Sequence, residues 1–132
     1  MSQENVEVLL RGLNAYNAGD LAAMREMYDP AAVMHHLEGW PEAGPSVGRD
    51  AVVRSLEILR EAWTSRDSLE VIGEPVDVGN RVLVRAVWHV SGEIPDQTMG
   101  FSVIFTFRKG KVITQEYFWN HDEALEAVGL SG

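Results

Sequence analysis

His35 and His36 stand side by side in the stretch Ala31-Ala32-Val33-Met34-His35-His36-Leu37-Glu38-Gly39-Trp40-Pro41. An imidazole titrates near neutral pH and moves protons with little tuning. Successive side chains on a strand point to opposite faces, so a strand here turns only one of the two histidines inward. His36 shares the parity of Met34 and is the candidate general base or acid; a hydrogen-bonded histidine that merely lines the interior is the plainer alternative. Tyr16 and Tyr117 are candidates to orient a carbonyl or hydroxyl, or else pack their rings and bond their hydroxyls to backbone or water. Trp40, Trp63, Trp88 and Trp119, with Met24, Met27, Phe101 and Phe105, would line a cavity for a flat or apolar molecule or make plain core. Gln115 shares a strand face with Tyr117 and Trp119 and would add one orienting amide.

Several other chemistries lack their residues. The chain has no cysteine, which removes disulfides, thiolate nucleophiles, iron-sulfur clusters and cysteine zinc sites. His35 and His36 diverge, His89 lies on the face opposite Trp88, and His121 opens a helix, so no pair has ligand spacing and no metal is expected. Phosphate loops and nucleophile motifs are absent as well, and no cofactor is expected. With 20 acidic and 11 basic residues the formal charge is -9, and the basic residues are scattered, which argues against nucleic acid as a partner. No run of about 18 apolar residues marks a membrane span, and no charged-then-apolar leader opens the chain, so a cytoplasmic protein is the default.

The elements that must position these residues follow from periodicity and punctuation. At 132 residues and 45% hydrophobic, the chain fits one domain over 1–132 with a real core. A first helix is predicted over Gln3 to Ala18, with Val6, Leu9, Leu10, Leu13 and Tyr16 on one face. Gly19-Asp20 forms a tight corner into a second helix, Leu21 to Tyr28, which Asp29-Pro30 stops ahead of the histidine strand. Residues 39–46 read as a Gly- and Pro-rich loop at a pocket mouth. A third helix runs from Gly48 or Asp50 to about Ser65, its stripe being Val52, Leu56, Leu59 and Trp63. Strands are expected at Leu69 to Val78, Arg81 to Val90, Gln97 to Arg108 and Lys111 to Trp119, with Gly79-Asn80 and Lys109-Gly110 as hairpin turns. Asn120 caps a short last helix that Gly129 ends.

Helices first and a strand meander afterwards describe an α+β domain, with helices covering the concave face of a curved antiparallel sheet. On the fourth of these strands Met99, Phe101, Val103, Phe105 and Phe107 belong against the helices. Thr98, Ser102, Ile104 and Thr106 form the other side, a moderately apolar face suited to a homodimer contact.

The chain resembles the SnoaL-like members of the NTF2-like superfamily, whose cone-shaped fold serves ketosteroid isomerases, polyketide cyclases, dehydratases and non-enzymatic adaptors. The resemblance is carried by Asn17-Ala18-Gly19-Asp20, Asp29-Pro30, Gly48-Arg49-Asp50-Ala51-Val52, Gly79-Asn80-Arg81-Val82, Gly110-Lys111-Val112 and Phe118-Trp119. Counted from Tyr28, it puts His36 where the isomerases keep their general base, and Trp88 and Trp119 on pocket-lining positions. It also puts Gly12, Leu56 and Val103 where the isomerases carry oxyanion donors and their support, and Tyr117 where cyclases carry an acid-base aspartate. Steroid isomerisation by that mechanism is therefore not expected, because donors to the developing charge usually supply the largest catalytic effect.

These readings converge on a small-molecule pocket lined by His36, Trp63, Trp88, Phe101, Val103, Tyr117 and Trp119. It would take a largely apolar or aromatic molecule and carry out isomerase, cyclase or dehydratase chemistry without a cofactor. The alternative is a ligand-binding or dimeric interaction module whose cavity is filled by its own side chains.

Overall fold

A computed structural model of the chain describes residues 2–35, 45–61, 68–90 and 97–129. Helix α1, Ser2–Ala18, turns Leu9, Gly12 and Tyr16 into the interior. Gly19 ends it at φ 82°, a left-handed conformation open to glycine at little cost, and the Asp20 carboxylate accepts the Ala23 N–H at 3.1 Å to cap helix α2, Leu21–Arg25. Gly12 lets the two helices close together, since a Cβ there would stand 2.5 Å from Met27 Sδ.

Helix α2 stops three residues short of the predicted Tyr28. That tyrosine instead opens strand β1, Tyr28–His35, where it pairs with Val112 and is 1% exposed. Sheet pairing and burial outweigh local helix propensity here. Asp29-Pro30 accordingly lies inside β1, in a stretch where the register against its neighbour shifts between Tyr28 and Val33. A bulge suits a proline, which has no N–H to give a ladder. The Asp29 carboxylate accepts the Ala31 N–H at 2.8 Å, and this bond, then Arg108, holds its pKa below the usual carboxylate value.

The predicted loop also gives way at its end, where Ser46–Val47 form strand β2, antiparallel to β1. Helix α3, Arg49–Glu61, buries Val52, Ser55 and Leu56, and Ser55 Oγ meets Ser46 Oγ at 2.7 Å, pinning β2 to the helix. Its predicted continuation to Ser65 and the Trp63 of its stripe lie outside the described residues. Strands β3, Ser68–Val78, β4, Arg81–Val90, β5, Gln97–Arg108, and β6, Lys111–Phe118, form the meander. The β5–β6 turn places Lys109 at φ 51° and Gly110 at φ 80°, the backbone that matches hairpin twist.

The six strands are ordered β2-β1-β6-β5-β4-β3 in a curved, unclosed sheet. Every pairing is antiparallel except that of β1 with β6, which is parallel because the chain returns to β1's side only after the whole meander. On the concave face Phe101, Val103, Phe105 and Phe107 meet Val82, Val84 and Ala86 of β4 and the helical residues Leu9, Met24, Met27, Val52 and Leu56. The sequence expectation of helices on that face is met.

The convex face departs from expectation. Helix α4, His121–Ala127, capped by the Asn120 side-chain oxygen, which accepts from Asp122 N–H and Glu123 N–H, folds back over it. Ala124 and Val128 pack on Leu83 and Ile104, and Ser102 Oγ lies 2.7 Å from His121 Nδ1. Ser102 and Ile104 are each 1% exposed in the single chain, so they do not form the expected contact between two copies. Their burial is satisfied internally.

Candidate functional site

Five inward residues of the sheet meet where β1, β6 and β5 lie side by side. Met34 pairs with Gln115, Phe105 with Gln115 from the other side, and Val103 with Tyr117. Met34 is fully buried and His35 exposed, paired across the parallel ladder with Glu116. His35 is thus an outer-face residue, as its parity predicts. His36, Trp40 and Trp63 lie outside the described residues.

Phe101 and Val103 are buried on the concave face as expected, and the Phe101 and Tyr117 rings sit 5.7 Å apart at 51°. Tyr117 and Trp88 pack against the core but are only half-buried. They define the more accessible end of the face, whereas Phe105, Phe107, Val112 and Met27 fill the other end. His89, next along β4, faces outward and meets Glu70 at 2.9 Å. Trp119 lies one residue past β6, which ends at Phe118 and not at Trp119 as predicted, and is 51% exposed.

Tyr16 is buried, and its hydroxyl donates to the Leu56 carbonyl at 3.0 Å, a bond that ties α1 to α3. Gln115, 4% exposed, is the hub of the polar groups. Its Oε1 accepts from the Tyr28 hydroxyl at 2.5 Å, and its Nε2 donates to the Tyr117 oxygen at 2.7 Å. Sequence reasoning missed Tyr28 because it was assigned to the end of α2. The register shift between Tyr28 and Val33 breaks the two-residue alternation there, so spacing from Met34 alone would not have placed it.

All three tyrosines of the chain belong to this cluster, and burial is the main reason that each phenol resists ionisation. Tyr117 is pushed up to about 12, with the Gln115 hydrogen bond pulling the other way. Tyr28 is raised further by the proximity of Tyr117 and Tyr16, and Tyr16 is raised by Tyr117 while Arg60 offsets part of the effect. At neutral pH the three are phenols, which donate hydrogen bonds and do not act as bases.

Among the described residues, no three His, Asp or Glu side chains converge as metal ligands. Nor is any described helix long and apolar enough to cross a membrane.

A curved, unclosed sheet with helices on its concave face is the architecture of the NTF2-like α+β fold. The model of the SnoaL-like domain matches residues 9–115, and the chain belongs to that family. Among solved structures, Bal32a from a soil-derived mobile gene cassette superposes with a TM-score of 0.78 at 21% identity, covering 90% of this chain and 98% of its own. TerC, co-crystallised with polyporic acid, gives 0.75 at 19% identity, covering 96% and 98%. A provisionally assigned polyketide cyclase from Sinorhizobium meliloti gives 0.69 at 23%, covering 89% and 98%. At these identities the likeness is one of fold. No curated protein matches the chain in sequence.

Proposed function

We propose that the chain is a small-molecule pocket protein in which the concave sheet face takes a largely apolar or aromatic organic molecule, and that His36 performs acid-base chemistry on it without a cofactor. The observation that carries the reading is the Tyr28–Gln115–Tyr117 line. It is a hydrogen-bonded polar array inside an apolar wall, ending at a half-buried phenol beside Phe101 and at the same end as half-buried Trp88. Ligand sites commonly combine a mostly apolar lining with a few fixed polar groups. The close packing at the opposite end of the face supports reading the Trp88 and Tyr117 end as the region for a ligand.

The role of His36 rests on sequence order. It follows His35, whose outward side chain, with inward Met34, sets the alternation of β1. The fold relatives include a provisionally assigned polyketide cyclase and a protein crystallised with polyporic acid, which favours aromatic or polyketide-like molecules as the first to screen.

The test is a screen of enones, epoxides and aromatic polyketides against the wild type, followed by His36→Ala. Turnover should fall by about 100-fold or more while binding survives, and wild-type turnover should decline below about pH 6 as the imidazole takes up a proton. Unchanged turnover in the variant discards the catalytic role. Tight binding without turnover of any candidate favours a ligand-binding module instead.

A further inference from the structure

Along the chain the basic residues are scattered, but the fold gathers three of them around one cleft. Acidic residues outnumber basic ones 20 to 11. Against that balance, a cleft of about 420 Å³ between α1, the end of α2 and the β5–β6 turn is lined by Arg11, Lys109 and Lys111 and, among the described residues, by a single carboxylate, that of Glu26. Val8 and Met27 add an apolar wall. Lys111 is fixed in place, since its Nζ donates to the Glu26 backbone carbonyl at 2.9 Å. An ammonium has three donors, so hydrogens remain for a second acceptor. Among the described residues Arg25, Arg54 and Arg108 are paired with Asp50, Glu57 and Asp29, whereas neither Arg11 nor Lys109 is paired with a carboxylate.

Lys109 is also unusual in its backbone. At φ 51° it is the one non-glycine residue with positive φ among the described residues. Its place in the hairpin turn is one that asparagine, aspartate or glycine fills at less cost, and the β3–β4 turn is built from such residues, Gly79 and Asn80. Side chains kept on unfavourable backbone concentrate where they have work to do. Three cations less one carboxylate leave a local charge that a phosphate group, with nearly two negative charges and several strong acceptor oxygens, matches. A guanidinium fork beside two ammonium groups also suits its shape.

We propose that this cleft binds a phosphate group, free or carried by a small organic molecule, through Arg11, Lys109 and Lys111. The site stands at the end of the sheet that Phe107 and Val112 fill, away from the Trp88 and Tyr117 end, and does not depend on the pocket reading above.

The experiment titrates the full chain with phenyl phosphate, inorganic phosphate and phenol by calorimetry, at low ionic strength and about pH 8, where the phosphate carries both charges. Phenyl phosphate should bind and phenol should not. Arg11→Gln and Lys109→Asn should each weaken phenyl phosphate binding by about tenfold, the worth of one charge-assisted hydrogen bond. Arg85→Gln removes the same charge from an exposed position on β4 and should leave the affinity unchanged. Because asparagine suits the turn, Lys109→Asn should raise the thermal midpoint without phosphate while its stabilisation by phenyl phosphate shrinks, a pair of opposite changes that a merely structural lysine would not give. Arg11 is exposed, so if one of the two cleft variants fails to fold the other decides. Inorganic phosphate that binds as tightly as phenyl phosphate assigns the site to the phosphate group alone; weaker binding assigns it to a phosphomonoester whose organic part rests on Val8 and Met27. Failure of both phosphates to bind overturns the proposal. Equal weakening in Arg85→Gln and in the cleft variants overturns it as well, because net charge alone would then draw the anion.

Discussion

Tyr16, Tyr28 and Tyr117 lie far apart in the chain, yet Tyr117 raises the pKa of both Tyr16 and Tyr28, and Tyr16 that of Tyr28, because α1, β1 and β6 meet at the core. Their shared resistance to ionisation has a consequence for stability. An unfolded tyrosine loses its proton near 10, while the folded phenols hold theirs to higher pH. Above that point the folded state binds more protons than the unfolded state, so stability falls as pH rises. Their contribution should be fully present below about pH 10, and Tyr117's share should be lost between there and about 12. In an alkaline titration, tyrosinate absorbance should rise together with loss of the near-ultraviolet dichroism of the native core. Three phenols that titrate near 10 in a chain with unchanged dichroism would contradict the buried cluster.

At the scale of elements, the α1–α2 corner and the docking of α4 show how closely local signals were obeyed. Asp20 and Asn120 cap the helices they precede, and Gly129, at φ 82°, follows α4 as anticipated. Gly12 is the less obvious element-level residue. Alanine there would gain about 1 kcal/mol of helix propensity, but its Cβ would meet Met27 Sδ at 2.5 Å and Met27 Cβ at 3.3 Å. Overpacking of that kind typically costs about 1–3 kcal/mol. Gly12→Ala is therefore expected to lower the urea midpoint. In a double-mutant cycle, Met27→Ala should make the added methyl less harmful than it is alone, giving a coupling of about 1 kcal/mol. Additive effects would mean that α1 and α2 do not meet as closely as described.

For the whole molecule, the sheet has two edges of different kinds. Strand β2 is only two residues long. At β3, the Asn17 side chain donates to the Leu69 carbonyl at 2.8 Å and accepts the Leu69 N–H at 3.2 Å, standing in for a neighbouring strand. Short or occupied edges oppose strand-to-strand association. A homodimer would then use the part of the convex face that α4 leaves open, around Ile72, Arg85, Thr106 and Thr114, with Ile72 39% exposed. Light scattering at micromolar concentration is expected to give twice the chain mass, with Ile72→Glu shifting it to the monomer. A wild type that scatters as a monomer would remove the reason for that exposed apolar residue to lie on a sheet face.

The helix and strand types, both hairpin turns, the inward Phe101, Val103, Phe105 and Phe107 of β5 and the family were legible in the sequence, because each depends on local periodicity, on turn residues or on motifs only a few residues long. His35's outward parity was legible for the same reason, and the role offered for His36 remains a statement from sequence. Tertiary structure decided what local order cannot encode. Tyr28 left the predicted helix because β6, more than 80 residues away, offers it a partner and a dry core. Ser102 and Ile104 lost their predicted surface because the chain's last helix returns to cover them. The Tyr28–Gln115–Tyr117 line likewise arises only when β1 and β6 lie side by side, since the acceptor of the buried Tyr28 hydroxyl sits on the neighbouring strand.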